Sequence, residues 1–308
     1  MTDYLDALAR LRLPGIARPE GRIAFLGCGD SLSAALLAQA HGHVALSAGD
    51  LAWSDLPLAH ADVAVALSWS GRTGATLRAA ERAAASGIPL LVITAGAGSP
   101  LAELSSGTIL LPAFELDAPL PAVGFALHAA AVAALAGDEP PRTDAIADAV
   151  RAALPRLDEL EAGLGPEPHG ISVASIPDTR AAADLMSLKL IEATGIATRT
   201  APLEETGHVD YFLGPQPHLA VVVADGPAGA GRAADLGAAL ARNGQRLLEV
   251  RASELMPQPG LSTAERCIAL GILMAELAAR AGDRWGRPAF RGGAVDMSAA
   301  HIQVRSGA

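Results

Sequence analysis

Short apolar runs alternate along the chain with longer, alanine-rich runs whose apolar positions recur at helical spacing. In the first half the short runs predict strands at Arg22–Gly27, His43–Ser47, Asp62–Leu67, Pro89–Thr94 and Thr108–Leu111. The longer runs predict helices at Ser31–Ala40, Thr73–Ser86 and Gly124–Ala136. This alternation is typical of a parallel sheet with helices on both faces, so we expect an α/β fold.

The alternation is interrupted at Gly137–Thr143, where two adjacent prolines and several charged residues predict a linker. A long amphipathic run then predicts one helix at Asp144–Leu164. Beyond it the pattern predicts strands at Ile171–Ala174, Leu219–Val223 and Arg246–Val250, and helices at Arg180–Ala193, Ala228–Asn243 and Thr263–Arg280. We therefore expect two domains, residues 1–140 and residues 141–308.

The two halves resemble each other. The stretch ALSWSGRTGATLRAAERAAASGIPLLVIT and the later stretch VVVADGPAGAGRAADLGAALARNGQRLLEV both read as strand, glycine turn, alanine-rich helix, glycine and strand. This predicts two tandem, doubly wound parallel-sheet units of the flavodoxin-like type, with chance similarity between alanine-rich helices as the alternative. Only the first copy has hydroxyl side chains in the turn, namely Ser68, Ser70 and Thr73.

Composition narrows the class of protein. The chain has 308 residues, of which 51% are hydrophobic and 18% charged, as in a globular protein. Its net charge of −10 and the lack of a basic stripe argue against a nucleic-acid partner. No apolar run is long enough for a membrane, and the acidic N-terminus predicts no signal peptide. Cys28 and Cys267 lie far apart, so we expect a reducing, cytoplasmic setting.

Two turns at predicted strand ends carry small polar residues. In LGCGDS, Gly29 and Ser31 follow the first strand; in SWSGRT, a glycine and three hydroxyl side chains follow the third. Backbone N–H groups at a helix start, with hydroxyls beside them, suit a phosphate group. The alternative is ordinary helix capping, which prefers the same residue types. Two such turns on neighbouring parallel strands favour a small phosphate ester.

A second group of residues suits proton transfer. Lys189 is the only lysine of the chain, and Glu192 follows it at helical spacing. A surface salt bridge is the alternative explanation for this pair. His208 lies downstream in a polar stretch, where a structural or solvent-exposed role is the alternative. A carboxylate and a histidine support acid–base catalysis near neutral pH, and the histidines show no metal-ligand spacing.

Together these motifs resemble the double sugar-isomerase (SIS) domain family over residues 21–281. That family includes the isomerase half of glucosamine-6-phosphate synthase, amino-sugar phosphate isomerases and deaminases, and phosphoglucose/phosphomannose isomerases. Its first phosphate loop is matched by Gly29-Asp30-Ser31 and its second by Ser68-Trp69-Ser70-Gly71-Arg72-Thr73. The resemblance implies that the phosphate of a sugar is held by Gly29, Ser31, Ser68, Trp69, Ser70, Gly71 and Thr73.

The resemblance also implies a chemistry. Leu188-Lys189-Leu190-Ile191-Glu192 is similar to a helix of the synthase whose glutamate moves a proton between C1 and C2. His208 matches a ring-opening histidine that is donated across a dimer interface. Lys189 would offset the enediolate charge. A homodimer with its active site at the subunit interface, acting on a phosphorylated sugar without metal or cofactor, is therefore implied.

The chain departs from the family in three places. The tail AVDMSAAHIQVRSGA lacks the lysine that many relatives carry, so a Schiff base there is excluded and His301 is the nearest candidate. Ala118-Pro119-Leu120 stands where phosphoglucose/phosphomannose isomerases tend to have Ala-Pro-Arg. The N-terminus has no catalytic cysteine, so glutamine-driven amination is not expected.

Three functions stay open at this point. The first, which Glu192 and His208 favour, is an isomerase of hexose or amino-hexose phosphates that works through a cis-enediolate. The second is an amino-sugar phosphate deaminase or deglycase, which would use the same base and ring-opening residues. The third is a non-catalytic phosphosugar sensor, which the lysine-free tail favours.

Overall fold

The computed structural model describes residues 2–54, 58, 60–113, 120, 122–294 and 302. The strands are β1 (Ile23–Gly27), β2 (Val44–Ser47), β3 (Val63–Leu67), β4 (Leu90–Thr94), β5 (Gly107–Leu110), β6 (Gly170–Ser175), β7 (Thr198–Pro202), β8 (His218–Ala224) and β9 (Arg246–Arg251). The α-helices are α1 (Thr2–Arg10), α2 (Asp30–Ala35), α3 (Ala48–Trp53), α4 (Gly74–Ala85), α5 (Pro100–Glu103), α6 (Val123–Ala136), α7 (Thr143–Ala153), α8 (Leu157–Gly163), α9 (Arg180–Thr194), α10 (Leu203–Val209), α11 (Gly226–Arg242), α12 (Ala252–Leu255) and α13 (Thr263–Arg284).

The described residues form two compact units. The N-terminal unit, residues 10–113 and 123–142 with residue 302, contains a parallel sheet in the order β2-β1-β3-β4-β5. β1 and β3 are buried along their whole length because helices cover both faces of the sheet. The strand order changes direction at β1 and β3, and the carboxyl ends of the strands at such a point are where ligands bind in open α/β sheets.

The C-terminal unit, chiefly residues 2–9 and 143–294, contains a second parallel sheet in the order β7-β6-β8-β9. Its first four strands in chain order follow the same path as β1 to β4 of the N-terminal unit, since the first strand is central and the second lies at the edge. The expected α/β fold with two tandem, doubly wound units is therefore confirmed.

Alanine-rich helices pack closely on these sheets. Ala79, Ala80 and Ala83 of α4 are fully buried against Ala64 and Ala66 of β3. Small side chains on both surfaces shorten the distance between helix and sheet, so the core is filled by close approach of the two elements. This explains how a chain with only 3% aromatic residues builds two cores.

The structure differs from the sequence-based expectations at several elements. The single helix expected at Asp144–Leu164 is wrong: α7 ends at Ala153, a 3₁₀ turn follows, and α8 begins at Leu157. Pro155 lies in that turn, where it lacks the N–H that a continuous helix requires. Helix α1 and strand β7 were not expected; β7 is a sheet edge that ends in Pro202 and has no continuous apolar run.

Helix α6 is the most apolar of the long helices described. All of its residues except Gly124 are buried, yet among the described residues neither this helix nor any other has the length and apolarity to cross a bilayer. His128 is the one ionisable side chain of α6 and is 1% exposed. Its burial lowers the pKa of the imidazole to about 4, because the charged form would lose its hydration.

This burial predicts an acid-sensitive stability. As the pH falls from about 6.5 to about 4, the unfolded chain binds a proton at His128 that the folded chain excludes. The stabilisation is fully present above this window, and its complete loss corresponds to about 3 kcal/mol. Urea unfolding at pH 7 and pH 4 measures the free energy of unfolding that acidification removes. This loss should be smaller in His128→Leu than in the wild type, by about 3 kcal/mol.

The matched control is Leu135→Val, which removes apolar volume from the same buried helix without removing a titratable group. It should keep the pH dependence of the wild type. An unchanged pH dependence in His128→Leu would contradict the assignment of this acid sensitivity to His128.

Candidate functional site

The first turn of the candidate site joins β1 to α2. Gly29 has a φ of +55°, in the left-handed region that favours glycine, and the main-chain N–H of Ser31 donates to the carbonyl of Cys28 at 3.2 Å. Gly27 is required by packing, since a Cβ there would lie 2.8 Å from the main-chain carbon of Ser31. The turn therefore holds Ser31 at the carboxyl end of β1.

The second turn, SWSGRT, joins β3 to α4. The Ser68 hydroxyl accepts from the N–H of Gly71 at 3.1 Å and lies 3.1 Å from the hydroxyl oxygen of Thr73. Gly71 has a φ of +64°, so it reverses the chain before α4 begins. Ser70 is exposed, and its hydroxyl accepts from the N–H of Arg72 at 3.3 Å. The turn thus groups three hydroxyls at the start of a three-turn helix.

A third turn, residues 94–100, supports the second and was not expected from the sequence. The carbonyl of Trp69 accepts from the N–H of Ala95 at 3.0 Å and from the hydroxyl of Thr94 at 3.2 Å. A Cβ at Gly96 would lie 2.5 Å from the carbonyl oxygen of Ser70, so only glycine permits this approach. The sequence signal was the run GAGS directly after a predicted strand.

These turns meet at one edge of the N-terminal sheet. They follow β1, β3 and β4, whose carboxyl ends are adjacent in the sheet, and the hydroxyl of Thr76 donates to the sulfur of Cys28 at 3.9 Å. We call the group Gly29, Ser31, Ser68, Trp69, Ser70, Gly71 and Thr73 the hydroxyl cradle. All seven residues expected to bind phosphate therefore lie in one place.

One residue of the tail lies beside the cradle. The N–H of Gly74, at the start of α4, donates to the carbonyl of Ile302 at 2.9 Å. His301, the expected tail candidate, lies outside the described residues, as do Ala118 and Pro119.

The cradle suits a small anion with several oxygens. It offers neutral hydroxyls and main-chain N–H groups at the start of α4, where the helix dipole favours negative charge. Its one cationic side chain, Arg72, is exposed. Short neutral donors can surround a phosphate without a bulky charged side chain.

The equivalent turn of the C-terminal unit has a different chemistry. Gly226, with a φ of +67°, takes the place of Gly71, but the residue before it is Asp225. The Asp225 carboxylate accepts from the N–H of Ser253 at 3.0 Å and lies 3.5 Å from the guanidinium of Arg266. The start of α11 therefore has a carboxylate of the chain itself beside it, and no hydroxyl group lines the turn.

Lys189 and Glu192 lie one helical turn apart on α9. The Lys189 ammonium donates to both carboxylate oxygens of Glu192, at 3.0 and 3.2 Å. The lysine side chain is 4% exposed and the glutamate side chain 33% exposed. The alternative of an ordinary surface salt bridge does not describe this pair, because the ammonium is buried. A buried ammonium requires a close anionic partner, so the pair fixes the direction of the glutamate.

His208 lies near the end of the short helix α10, and its ring is exposed. The segment that follows is unusual for its exposed apolar side chains, which are Val209, Tyr211 and Phe212. The rings of Tyr211 and Phe212 stack with their centroids 4.1 Å apart. His208 therefore belongs to an apolar surface of the C-terminal unit.

Asp210 anchors this segment from inside. It is 1% exposed and forms an ion pair with Arg199, while the side-chain amide of Gln245 donates to its main-chain carbonyl. Because both contacts fix the residue between Val209 and Tyr211, the neighbouring side chains are turned outward. Among the described residues, no group of three histidine, cysteine or acidic side chains is arranged to hold a metal.

Comparison with known proteins places residues 16–134 in the family described as SIS domain. A search of curated proteins finds no match. Among solved structures, the C-terminal domain of glucosamine-fructose-6-phosphate aminotransferase from Francisella tularensis is similar, with a TM-score of 0.74, 16% identity and coverage of 86% of this chain and 85% of that chain.

Two other structures resemble this chain over most of its length. Glucosamine-6-phosphate deaminase from Thermotoga maritima has a TM-score of 0.72 and 16% identity, and the match covers 92% of both chains. Tagatose-6-phosphate ketose/aldose isomerase from Escherichia coli has a TM-score of 0.70 and 20% identity, with 96% of this chain and 88% of that chain covered. At such identities these likenesses establish the fold.

The close approach at Gly96 gives a test of the cradle. Gly96→Ala should push the carbonyl of Ser70 away and weaken the binding of inorganic phosphate by at least about tenfold, because a displaced turn loses hydrogen bonds to a charged ligand. Isothermal titration calorimetry measures the dissociation constant.

The control is Gly87→Ala, at the far end of α4. Gly87 has a φ of +80° with open space around it, so alanine there adds backbone strain without a clash. Both variants should be less stable than the wild type, but only Gly96→Ala should lose affinity. Equal affinities in the two variants would exclude the proposed support of the cradle by the third turn.

Proposed function

We propose that the chain, whose residues 16–134 match the SIS domain family, is an aldose–ketose isomerase of hexose phosphates or amino-hexose phosphates. The observation that carries the proposal is the pairing of Glu192 with the buried ammonium of Lys189 in a chain that also has a hydroxyl cradle. A binding protein needs the cradle alone, whereas proton transfer needs a carboxylate held in a fixed direction.

The cradle holds the phosphate of the substrate in this proposal. The hydroxyls of Ser31, Ser68, Ser70 and Thr73 donate to its oxygens, and the N-terminal end of α4 favours its negative charge. Gly29 and Gly71 permit the close approach of the backbone that these bonds require. The phosphate thereby serves as the handle that orients the sugar, and binding energy from this remote group supports the reaction at C1 and C2.

Proton transfer completes the mechanism. His208 donates a proton to the ring oxygen as the sugar ring opens. Glu192 then removes the proton from C2 of the open-chain aldose. The electron pair of the C2–H bond forms the C1–C2 double bond, and the pair of the C1 carbonyl moves onto O1 to give a cis-enediolate. Glu192 returns its proton to C1, while the C2 hydroxyl proton passes to O1 and the oxygen at C2 becomes a carbonyl. C2 is oxidised and C1 reduced, so no external oxidant or cofactor is needed. Lys189 supplies a positive charge that offsets the enediolate.

The exposed surface around His208 supports a homodimer with its active site at the subunit interface. Val209, Tyr211 and Phe212 expose large apolar area next to a histidine that the mechanism requires at the substrate. Burial of this surface by a second copy would place His208 in the partner's site. The two free cysteines fit the cytoplasm as the compartment.

Two other functions are distinguished from the isomerase by assays of ammonia release and of C2-proton exchange. The structural likeness to a glucosamine-6-phosphate deaminase favours ammonia release as the second candidate. The lysine-free tail favours a non-catalytic sensor as the third. Ammonia release from amino-hexose phosphates, without ketose–aldose interconversion of hexose phosphates that carry no amino group, identifies the deaminase. Binding without exchange of the C2 proton identifies the sensor.

Glu192→Gln tests the base. The amide keeps the shape of the side chain but does not accept the C2 proton, so turnover should fall by at least about 10²-fold while sugar-phosphate binding persists. Exchange of the C2 proton with deuterated solvent, followed by NMR, reports the proton transfer directly.

Glu276→Gln is the matched control, because Glu276 is also a partly buried glutamate on a helix of the C-terminal unit and is paired with Arg280 at 3.2 Å. It should leave proton exchange unchanged. Retained exchange in Glu192→Gln would remove the role assigned to that residue.

Mixing two inactive variants tests the shared active site. If His208 acts in the partner's site, a hybrid of Glu192→Gln and His208→Asn subunits contains one site with both native residues. Co-refolding the two variants should therefore restore activity that neither has alone. A mixture that stays inactive, although mass spectrometry shows the hybrid dimer, would mean that His208 does not act across the interface.

A further inference from the structure

The buried imidazole of His128 has no role in the proposed chemistry. It lies on α6 of the N-terminal unit and is 1% exposed. Neither ring nitrogen makes a well-formed hydrogen bond among the described residues, while the carbonyls of Ile93 and Gly124 lie near the ring and partly favour its charged form. Polar atoms left unpaired in a core reduce stability by about 1–3 kcal/mol. An apolar side chain of similar volume would avoid this cost, so the position of the ring requires an explanation.

The imidazole contacts the side chain in the middle of SWSGRT. Its ring lies edge-on to the indole of Trp69, with the ring planes at 85° and the centroids 6.0 Å apart. One turn earlier on α6, a Cβ at Gly124 would lie 3.5 Å from the same indole. The indole therefore packs on the surface formed by the first turns of α6, in edge-on contact with His128.

The ring also lies near the backbone that carries Ser68. The carbonyl of Ile93, one residue before the end of β4, accepts the N–H of Ser68 at 3.2 Å. The same carbonyl raises the pKa of the imidazole, against the larger effect of burial. The next carbonyl of the turn, that of Trp69, accepts the N–H of Ala95 at 3.0 Å. His128 thus lies near the hydrogen bonds that join the cradle residues Ser68 and Trp69 to the end of β4.

We propose that His128 is a positioning residue of the hydroxyl cradle. Its edge-on contact holds the indole of Trp69 against α6, and this fixes the main chain between Ser68 and Ser70, whose hydroxyls face the anion. The neutral imidazole is an aromatic ring smaller than a phenyl ring, and its edge contacts the indole in the space next to Gly124. The inference deepens the proposed function, since it rests on the binding of a phosphate group by this cradle.

The test measures binding of inorganic phosphate by calorimetry, at pH 7. His128→Leu should weaken binding about three- to tenfold, the range expected for loss of one aromatic edge-to-face contact. His128→Phe restores an aromatic edge and should recover most of the affinity. Leu135→Val, in the same buried helix but away from Trp69, should bind as the wild type does.

A double-mutant cycle separates positioning from a general effect on the core. If His128 acts through Trp69, then Trp69→Leu with His128→Leu should lose no more affinity than Trp69→Leu alone. Additive losses, or equal losses in His128→Leu and Leu135→Val, would overturn the proposal. If His128→Leu does not fold, two other comparisons decide the question. The first compares the phosphate affinity of His128→Phe with that of the wild type, and the second compares Trp69→Leu with the Trp69→Leu, His128→Phe double variant.

The outcomes also distinguish this inference from the proposed function. A wild type that binds phosphate but catalyses no proton exchange contradicts the isomerase and leaves the positioning role intact. A wild type that isomerises sugar phosphates, with unchanged phosphate affinity in His128→Leu, contradicts the positioning role alone. A wild type that binds no phosphate overturns both.

Discussion

The close approach of three backbone turns at one sheet edge is the constraint on which the candidate site depends. A Cβ would overlap the side chain of Ser99 at Gly71 and the carbonyl of Ser70 at Gly96, which are contacts between two turns. At Gly27 it would overlap the backbone of Ser31 within the first turn itself. The turns after the adjacent strands β1 and β3 thereby bring Ser31 and Ser70 to the same edge of the sheet. Alanine-rich helices apply the same principle to the core, where small side chains bring helix and sheet together.

The two units use one winding for different purposes. In the N-terminal unit the turn after the third strand presents hydroxyls, whereas in the C-terminal unit Asp225 supplies an internal carboxylate at the equivalent helix start. That carboxylate makes an external anion unfavourable there. The C-terminal unit contributes instead a buried ammonium at Lys189 and an exposed imidazole at His208. The two units thus share a topology, while the side chains at their turns differ.

Much of the fold followed from the sequence because buried parallel strands read as continuous apolar runs. The sequence did not predict β7, since an edge strand with a proline lacks such a run, or the break at Pro155 inside an otherwise helical pattern. The hydroxyl turns were visible because Ser, Thr and Gly follow strands directly. The spacing of Lys189 and Glu192 placed them on one helix face, but only tertiary packing decides that this face is buried. The support of the cradle by residues 94–100 depends on contacts between turns, which a single sequence does not contain.

Electrostatics explains why the cradle is built from neutral groups. The chain carries a net charge of −10, and a phosphate monoester adds about two negative charges near pH 7. The long-range field therefore opposes association, although salt at physiological strength screens it beyond about 8 Å. Hydroxyls and N–H groups act only at contact, where their number and direction outweigh the distant charges. The fold must therefore control the direction of these hydrogen-bond donors. In the positioning role proposed for it, the buried ring of His128 affects the hydroxyl cradle through Trp69, without a contact to the anion.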